Sequence, residues 1–192
     1  MKKFVINILS VLFLFFTAHL ASCQSFGGQI IVGLNVSQID GDDIGGFDKA
    51  GLLLGGAVTF PLSEKMQLQP EISYSQKGSR SRENEPFFIW KLNYIDIPIT
   101  VNYIFKEKYI FQGGLGGNYL LAANFDSGFG FQDQSDLFSK VDFTAHLGVD
   151  FLVLENISLR LRWTNSLKNM AKEYYYFNKV LSFAVCYRMT GK

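Results

Sequence analysis

The sequence predicts an all-β fold: an eight-stranded, antiparallel, up-and-down transmembrane β-barrel. Three observations predict it. Eight segments alternate large apolar residues with small or polar ones at period two, the mark of a strand with two unlike faces. The connections alternate in length, three tight and four long and polar, which is the hairpin rhythm of an outer-membrane barrel. The composition is 16% aromatic with 18 Gly and only 4 Pro, a mix that favours strands and Gly-rich turns over helices. At 192 residues the chain suits one domain, and no linker or repeat beyond the hairpin is evident.

The first element is not part of the barrel. Lys2 and Lys3 precede a short, mostly apolar core from Phe4 to Phe16, and small residues follow, so residues 1–23 read as a secretory signal peptide and 24–192 as the barrel domain. The core is short for a membrane helix and no stop-transfer pattern follows. Leu20-Ala21-Ser22-Cys23 fits a lipobox, in which Cys23 is lipidated, and also fits ordinary cleavage behind small residues. Ordinary cleavage is the preferred reading, because an embedded barrel gains little from an added anchor.

The predicted strands follow in order. The first, Gln29–Gln38, carries Ile30, Val32, Leu34 and Val36 on one face, and the second, Ala50–Phe60, carries Leu52, Leu54, Val58 and Phe60. The third, Met66–Lys77, sets Met66, Leu68, Ile72 and Tyr74 against Gln67, Gln69, Glu71, Ser73 and Ser75. The fourth, Phe88–Phe105, changes its apolar phase from Trp90, Leu92 and Tyr94 to Ile95, Ile97, Ile99, Val101 and Tyr103, which predicts a β-bulge near Tyr94. The fifth is Tyr109–Asn124 and the sixth is residues 140–151, KVDFTAHLGVDF. The seventh, Ile157–Thr164, alternates Ile157, Leu159, Leu161 and Trp163 with Ser158, Arg160, Arg162 and Thr164. The eighth, Lys179–Met189, sets Leu181, Phe183, Val185, Tyr187 and Met189 against Ser182, Ala184, Cys186 and Arg188. Tight connections fall at 61–65, 106–108 and 154–156, and long ones at 39–49, 78–87, 125–139 and 165–178.

Which face meets solvent decides between two closed barrels. A soluble or lipid-anchored ligand-binding barrel turns its apolar face inward; a membrane barrel turns it outward. The apolar faces here are bulky nearly everywhere, and eight strands enclose barely enough room for side chains. The polar faces are rich in Gly, Ser, Thr, Gln, Asn and Ala and poor in Lys, unlike a soluble surface. Both arguments favour lipid outside. With the tight turns periplasmic, Tyr74, Trp90, Tyr119 and Trp163 form an outer aromatic girdle, and Phe60, Phe105, Tyr109, Phe151 and Tyr187 an inner one.

Three stretches, GLNVSQIDGDD, AGLLLGGAVTFPLSEKMQLQPEISYSQKG and LNYIDIPITVNYIF, resemble the PorT-like outer-membrane β-barrel family, the small "porin family" proteins. The resemblance extends over essentially the whole mature chain and implies an eight-stranded barrel in a bacterial outer membrane, delivered by the barrel-assembly machinery. It implies no substrate, since one fold hosts many functions. The last strand ends Tyr187-Arg188-Met189, where such barrels usually end on an aromatic residue.

Buried charges need partners. Arg160, Arg162 and Arg188 share the predicted lumen with Glu71, Asp96, Asp142 and Asp150, and a hairpin around 153–156 brings the acids of strand six to the arginines of strand seven. That network is expected to plug the barrel. His146 is the sole histidine beyond the signal. A lipid-modifying barrel enzyme would use it with a serine and Asp142, but residues four apart on a strand stand about 13 Å apart, and a hydrogen-bonded lumen residue is the preferred reading. No enzyme activity and no cofactor are expected. The acidic stretch at 40–43 lacks EF-hand spacing, and Cys186 stands alone once Cys23 is removed, so no metal site or disulfide framework is expected. Without the signal, sixteen basic residues face seventeen acidic ones, which argues against nucleic acid as a partner. Phe129, Phe131, Tyr174, Tyr175 and Tyr176 are candidate loop contacts for an extracellular protein or glycan. The expected protein is a monomer surrounded by outer-membrane lipid.

Overall fold

The computed structural model describes residues 26–42, 45–82 and 86–189. The signal peptide and Cys23 lie outside these residues. Eight long strands make up the barrel: β1 Gly27–Asp40, β2 Lys49–Pro61, β3 Met66–Arg80, β4 Ile89–Phe105, β5 Tyr109–Asp126, β6 Val141–Leu154, β7 Ile157–Ser166 and β8 Phe177–Met189. Each pairs antiparallel with its sequence neighbours. β1 also pairs with β8, from Gly28↔Met189 to Asp40↔Phe177, so the sheet closes and the wall has no free edge.

The faces divide as the patterning requires. Phe143, Leu159 and Phe183 point outward, about half exposed, while Asp142, Arg160 and Ser182 are buried inside. An aliphatic and aromatic outer wall around a polar interior is stable only with hydrocarbon as the outer solvent. A membrane strand needs roughly 9–11 residues. At 17 and 18 residues, β4 and β5 therefore extend beyond the bilayer.

Hairpin chemistry explains the tight ends. Lys106 and Glu107 both have positive φ, 49° and 58°, the backbone of a type I′ turn joining β4 to β5. The β6–β7 hairpin turns at Glu155-Asn156 with a register shift between Leu152 and Leu154. At the other end the connections are longer, and one carries structure of its own. Gln132–Asp133 pairs back onto Asn124 and Phe125, and Ser135–Leu137 forms a single 3₁₀ turn.

The bulge differs in detail from expectation. A register shift lies at Asn93/Tyr94, but Tyr94 pairs with Leu120 and Asn93 with Ala122, so the extra residue is Leu121 in β5. β4 keeps its phase: Leu92 and Tyr94 point inward and are fully buried, in step with Asp96. Trp90 accordingly leaves the outer girdle and packs on Phe125 at 4.6 Å and Phe138 at 5.2 Å. The physical reason is a change of medium inside the barrel. Near the outer mouth the interior becomes apolar, so inward aromatic residues find dry neighbours. Tyr119 and Trp163 do face outward at that end, and Tyr109 and Phe151 pair at 5.4 Å at the other.

Phe183 sits mid-strand with Leu34 and Leu161 as lateral neighbours. Phe183→Arg is expected to destabilise the barrel by about 2–4 kcal/mol, and Phe183→Leu by far less. Reversible urea unfolding in phospholipid vesicles, with heat-shifted gel migration as the index of folding, measures both.

Candidate functional site

The interior is built in two layers, an ionic one and an apolar cap at the outward mouth. Arg160 and Arg162 are two apart on β7 and so share its inward face. The β6–β7 register sets Asp150 opposite Arg160. Asp150 accepts two bonds from Arg160, Nε to Oδ1 at 2.8 Å and Nη2 to Oδ2 at 2.9 Å. Glu71 reaches across from β3. It accepts from Arg160 Nη1 at 3.0 Å and takes both Nη1 and Nη2 of Arg162, each at 3.0 Å. Gln29 accepts from Arg160, and Gln112 both accepts from Arg162 and donates to Asp150. Two guanidinium groups and two carboxylates thus neutralise one another, with side chains at most 5% exposed.

A second ion pair lies beside the first. Lys77 Nζ sits 2.8 Å from Asp96 Oδ2 and 4.8 Å from the centre of the Tyr94 ring. Between the two pairs the barrel leaves about 20 Å³ into which the centre of a water molecule fits, lined by Glu71, Lys77, Asp96, His146 and Arg162. That is room for one or two waters.

Among the described residues the His146 ring is hydrogen-bonded to threonines and to no serine or carboxylate. Its Nε2 lies 2.9 Å from Thr144 Oγ1 and its Nδ1 3.0 Å from Thr164 Oγ1, so both nitrogens are occupied by wall hydroxyls. A Cβ on Gly116 would stand 2.6 Å from His146 Nε2; glycine there keeps the space the imidazole fills. Asp142 is held by Ser166 Oγ at 2.7 Å, away from both arginines.

The structure thus brings together Glu71, Asp150, Arg160 and Arg162, and pairs Asp96 separately. Asp142 and His146 share the lumen without joining the ionic cluster. Arg188 does not join it either. It is half-buried near the end of β8, and among the described residues its guanidinium makes no ion pair. Asp150 is bonded instead by Arg160 and Gln112. Sequence reasoning missed Lys77, Gln29 and Gln112. Lys77 carried a readable signal, since it continues the inward phase of Glu71, Ser73 and Ser75.

The outer layer is a cap. Phe138, Met170 and Ala171, from the two longest outward loops, pack on Ile39, Leu92, Tyr94, Leu120 and Ala123. A β-bridge between Phe138 and Ala171 ties the loops together. Of the candidate loop contacts, Phe129, Phe131, Tyr174 and Tyr175 are exposed. Tyr176 instead lies against the cap, 6.5 Å from Phe138 and stacked on Tyr174 at 5.4 Å. In the acidic stretch, Asp40 pairs with Lys179 at 2.8 Å.

Glu71→Gln removes one of the two charges balancing Arg160 and Arg162 and is expected to cost about 3–5 kcal/mol. Replacing Glu71, Asp150, Arg160 and Arg162 together by Leu or Met is expected to cost much less, because no charge of the cluster is left unpaired. Unfolding free energies of the single and quadruple variants in vesicles make the comparison.

Residues 23–172 match the family described as outer membrane protein beta-barrel domain, and the chain belongs to that family. No curated protein matches the sequence. Among solved structures, the chain is similar to Ail, the attachment invasion locus protein of Yersinia pestis. The TM-score is 0.59 at 14% identity, covering 86% of this chain and 99% of that one. A second Ail structure, in complex with the heparin analogue sucrose octasulfate, gives a TM-score of 0.58 at 14% identity over 86% and 99%. Neisserial surface protein A gives 0.54 at 12% identity, over 84% of this chain and 96% of that one.

Proposed function

We propose that this member of the outer-membrane barrel family is a non-enzymatic surface protein with a sealed lumen, acting through its outward loops. One observation carries the reading: Arg160, Arg162, Glu71 and Asp150 span the barrel interior from β3 to β7 in a closed set of ion pairs. A solute would have to break a neutral, fully buried network to pass. The cap of Phe138, Met170 and Ala171 stands above it as a second barrier. With the interior committed to packing, the groups left to meet a partner are on the loops, and Phe129, Phe131 and Tyr175 are among the most exposed aromatics. Such side chains offer large, rigid contact area to a protein or glycan. Ail, named for attachment and invasion, is a relative in fold only, yet it illustrates a small barrel with a surface role.

The reading against enzyme activity is supported by His146, whose ring nitrogens are both taken up by threonines. Within the family, the stretches around Gly51–Gly78 and Leu92–Phe105 favour the PorT-like branch, without its role in secretion. The N-terminal 23 residues are removed on export, and the protein is a monomer.

In planar bilayers the purified protein is expected to show no steady single-channel conductance; stable open steps of hundreds of picosiemens would refute the sealed lumen. A deletion strain is expected to keep an unaltered lipid A mass profile. Cells displaying the protein are expected to bind a panel of immobilised matrix proteins and glycans, and to lose that binding when Phe129, Phe131 and Tyr175 are changed to Ala.

A further inference from the structure

The outward rim beside β3 and β4 carries a group of cations that the barrel itself does not use. Lys49 opens β2, Arg80 closes β3, and Lys91 stands near the start of β4. Arg80 pairs with Ile89 and Gly78 with Lys91, so Arg80 and Lys91 are diagonal neighbours on the outer face. Together with Gln76 and Phe131 the three cations line a cleft of about 310 Å³. Among the described residues the one acid in its wall, Asp48, is paired with Arg82 at 3.1 Å. Among the described residues neither Lys49, Arg80 nor Lys91 has a carboxylate partner. Lys49 Nζ donates to a backbone carbonyl, and Lys91 Nζ sits over the Phe131 ring at 5.9 Å.

Position decides what such a cleft meets. Gln76, at its base, donates to the Tyr74 hydroxyl at 3.0 Å, and its own Oε1 accepts from the Leu52 amide. Tyr74 belongs to the outer girdle, where aromatic side chains mark the border of hydrocarbon and headgroup. Two residues of strand rise about 7 Å, so the cleft opens immediately above that border and faces sideways. The medium there is the headgroup layer of the outer leaflet. Like charges gathered without counter-charges are unfavourable unless an anion joins them. Lys and Arg bind phosphate, and an exposed aromatic face covers a sugar ring.

We propose that Lys49, Arg80, Lys91 and Phe131 form a lateral binding site for a phosphorylated sugar headgroup, supplied by a glycolipid of the outer leaflet. The site rests on the outer-membrane placement but not on the sealed lumen or the loop role. A lipid bound there is held against the barrel wall in cis, with its acyl chains along the apolar face of β3 and β4 below Tyr74.

The test uses the full mature protein in detergent micelles, with diphosphoryl lipid A, the same lipid with its phosphates removed, and inorganic phosphate as probes. Native mass spectrometry is expected to show one lipid A retained per barrel, with at least tenfold weaker retention of the dephosphorylated lipid. The variant R80Q/K91Q is expected to lose tenfold or more in affinity for diphosphoryl lipid A, while K65Q/K106Q, altered at the opposite turns, binds as the parent does. Equal retention of the two lipids, or an unchanged R80Q/K91Q, overturns the site. Inorganic phosphate binding as tightly as lipid A overturns the lipid source. Heat-shifted gel migration of every variant separates loss of the site from loss of the barrel.

Discussion

The structure depends on one constraint: in hydrocarbon, every backbone N–H and C=O must be bonded within the protein. A sheet meets it only by closing, and closure is made by thirteen consecutive pairings between β1 and β8. From this follow the inverted faces. With lipid outside, the outer positions take Ile, Leu, Val and Phe. The inner positions are shut into a cylinder too narrow for bulk water, where each polar group must find a protein partner. The ionic layer is the consequence. Arg160 is tolerated at 3% exposure because Asp150 and Glu71 face it from two strands.

The ion pairs also tie the closed wall across its diameter. Glu71 and Arg162 are 91 residues apart in sequence and belong to strands that share no register. Buried charges of this kind contribute little net stability relative to an apolar filling, but a mispaired one is costly. Their use here is to define one registration of the barrel. A one-residue slip of β7 would send both arginines into lipid and both Leu159 and Leu161 into the lumen.

Much of this was legible in the sequence. Period-two alternation located all eight strands, and the alternation of turn lengths gave their order and direction. The short hairpin around 153–156 was expected to bring the acids of strand six to the arginines of strand seven; Asp150 meets Arg160 there, whereas Asp142 is held by Ser166. What escaped was interior geography. Trp90, Leu92 and Tyr94 look lipid-facing by hydropathy alone; only the folding of residues 127–140 and 167–176 across the mouth makes the interior dry at their level. That depends on Phe138 meeting Ala171, a contact between loops with no periodicity to announce it. Arg188 failed for the opposite reason. It has the right phase, but phase says nothing of depth, and near the rim its side chain meets no free carboxylate.

β3 shows how a single strand is written for several media at once. Along its inner face run Glu71, Ser73, Ser75 and Lys77, all buried and supplying opposite charges to two separate ion pairs. Along its outer face run Ile72, Tyr74, Gln76 and Arg80, which change from hydrocarbon to interface to charge within nine residues. The inner series answers to neighbouring side chains alone, so it can mix signs freely. The outer series answers to the bilayer, so its order is a depth scale. A cation at the top of that scale is therefore no accident of a solvated loop. Below it on the same face the Gln76 amide bonds both the Tyr74 hydroxyl and the Leu52 backbone, which ties the outer face of β3 to β2 one step under the charged rim.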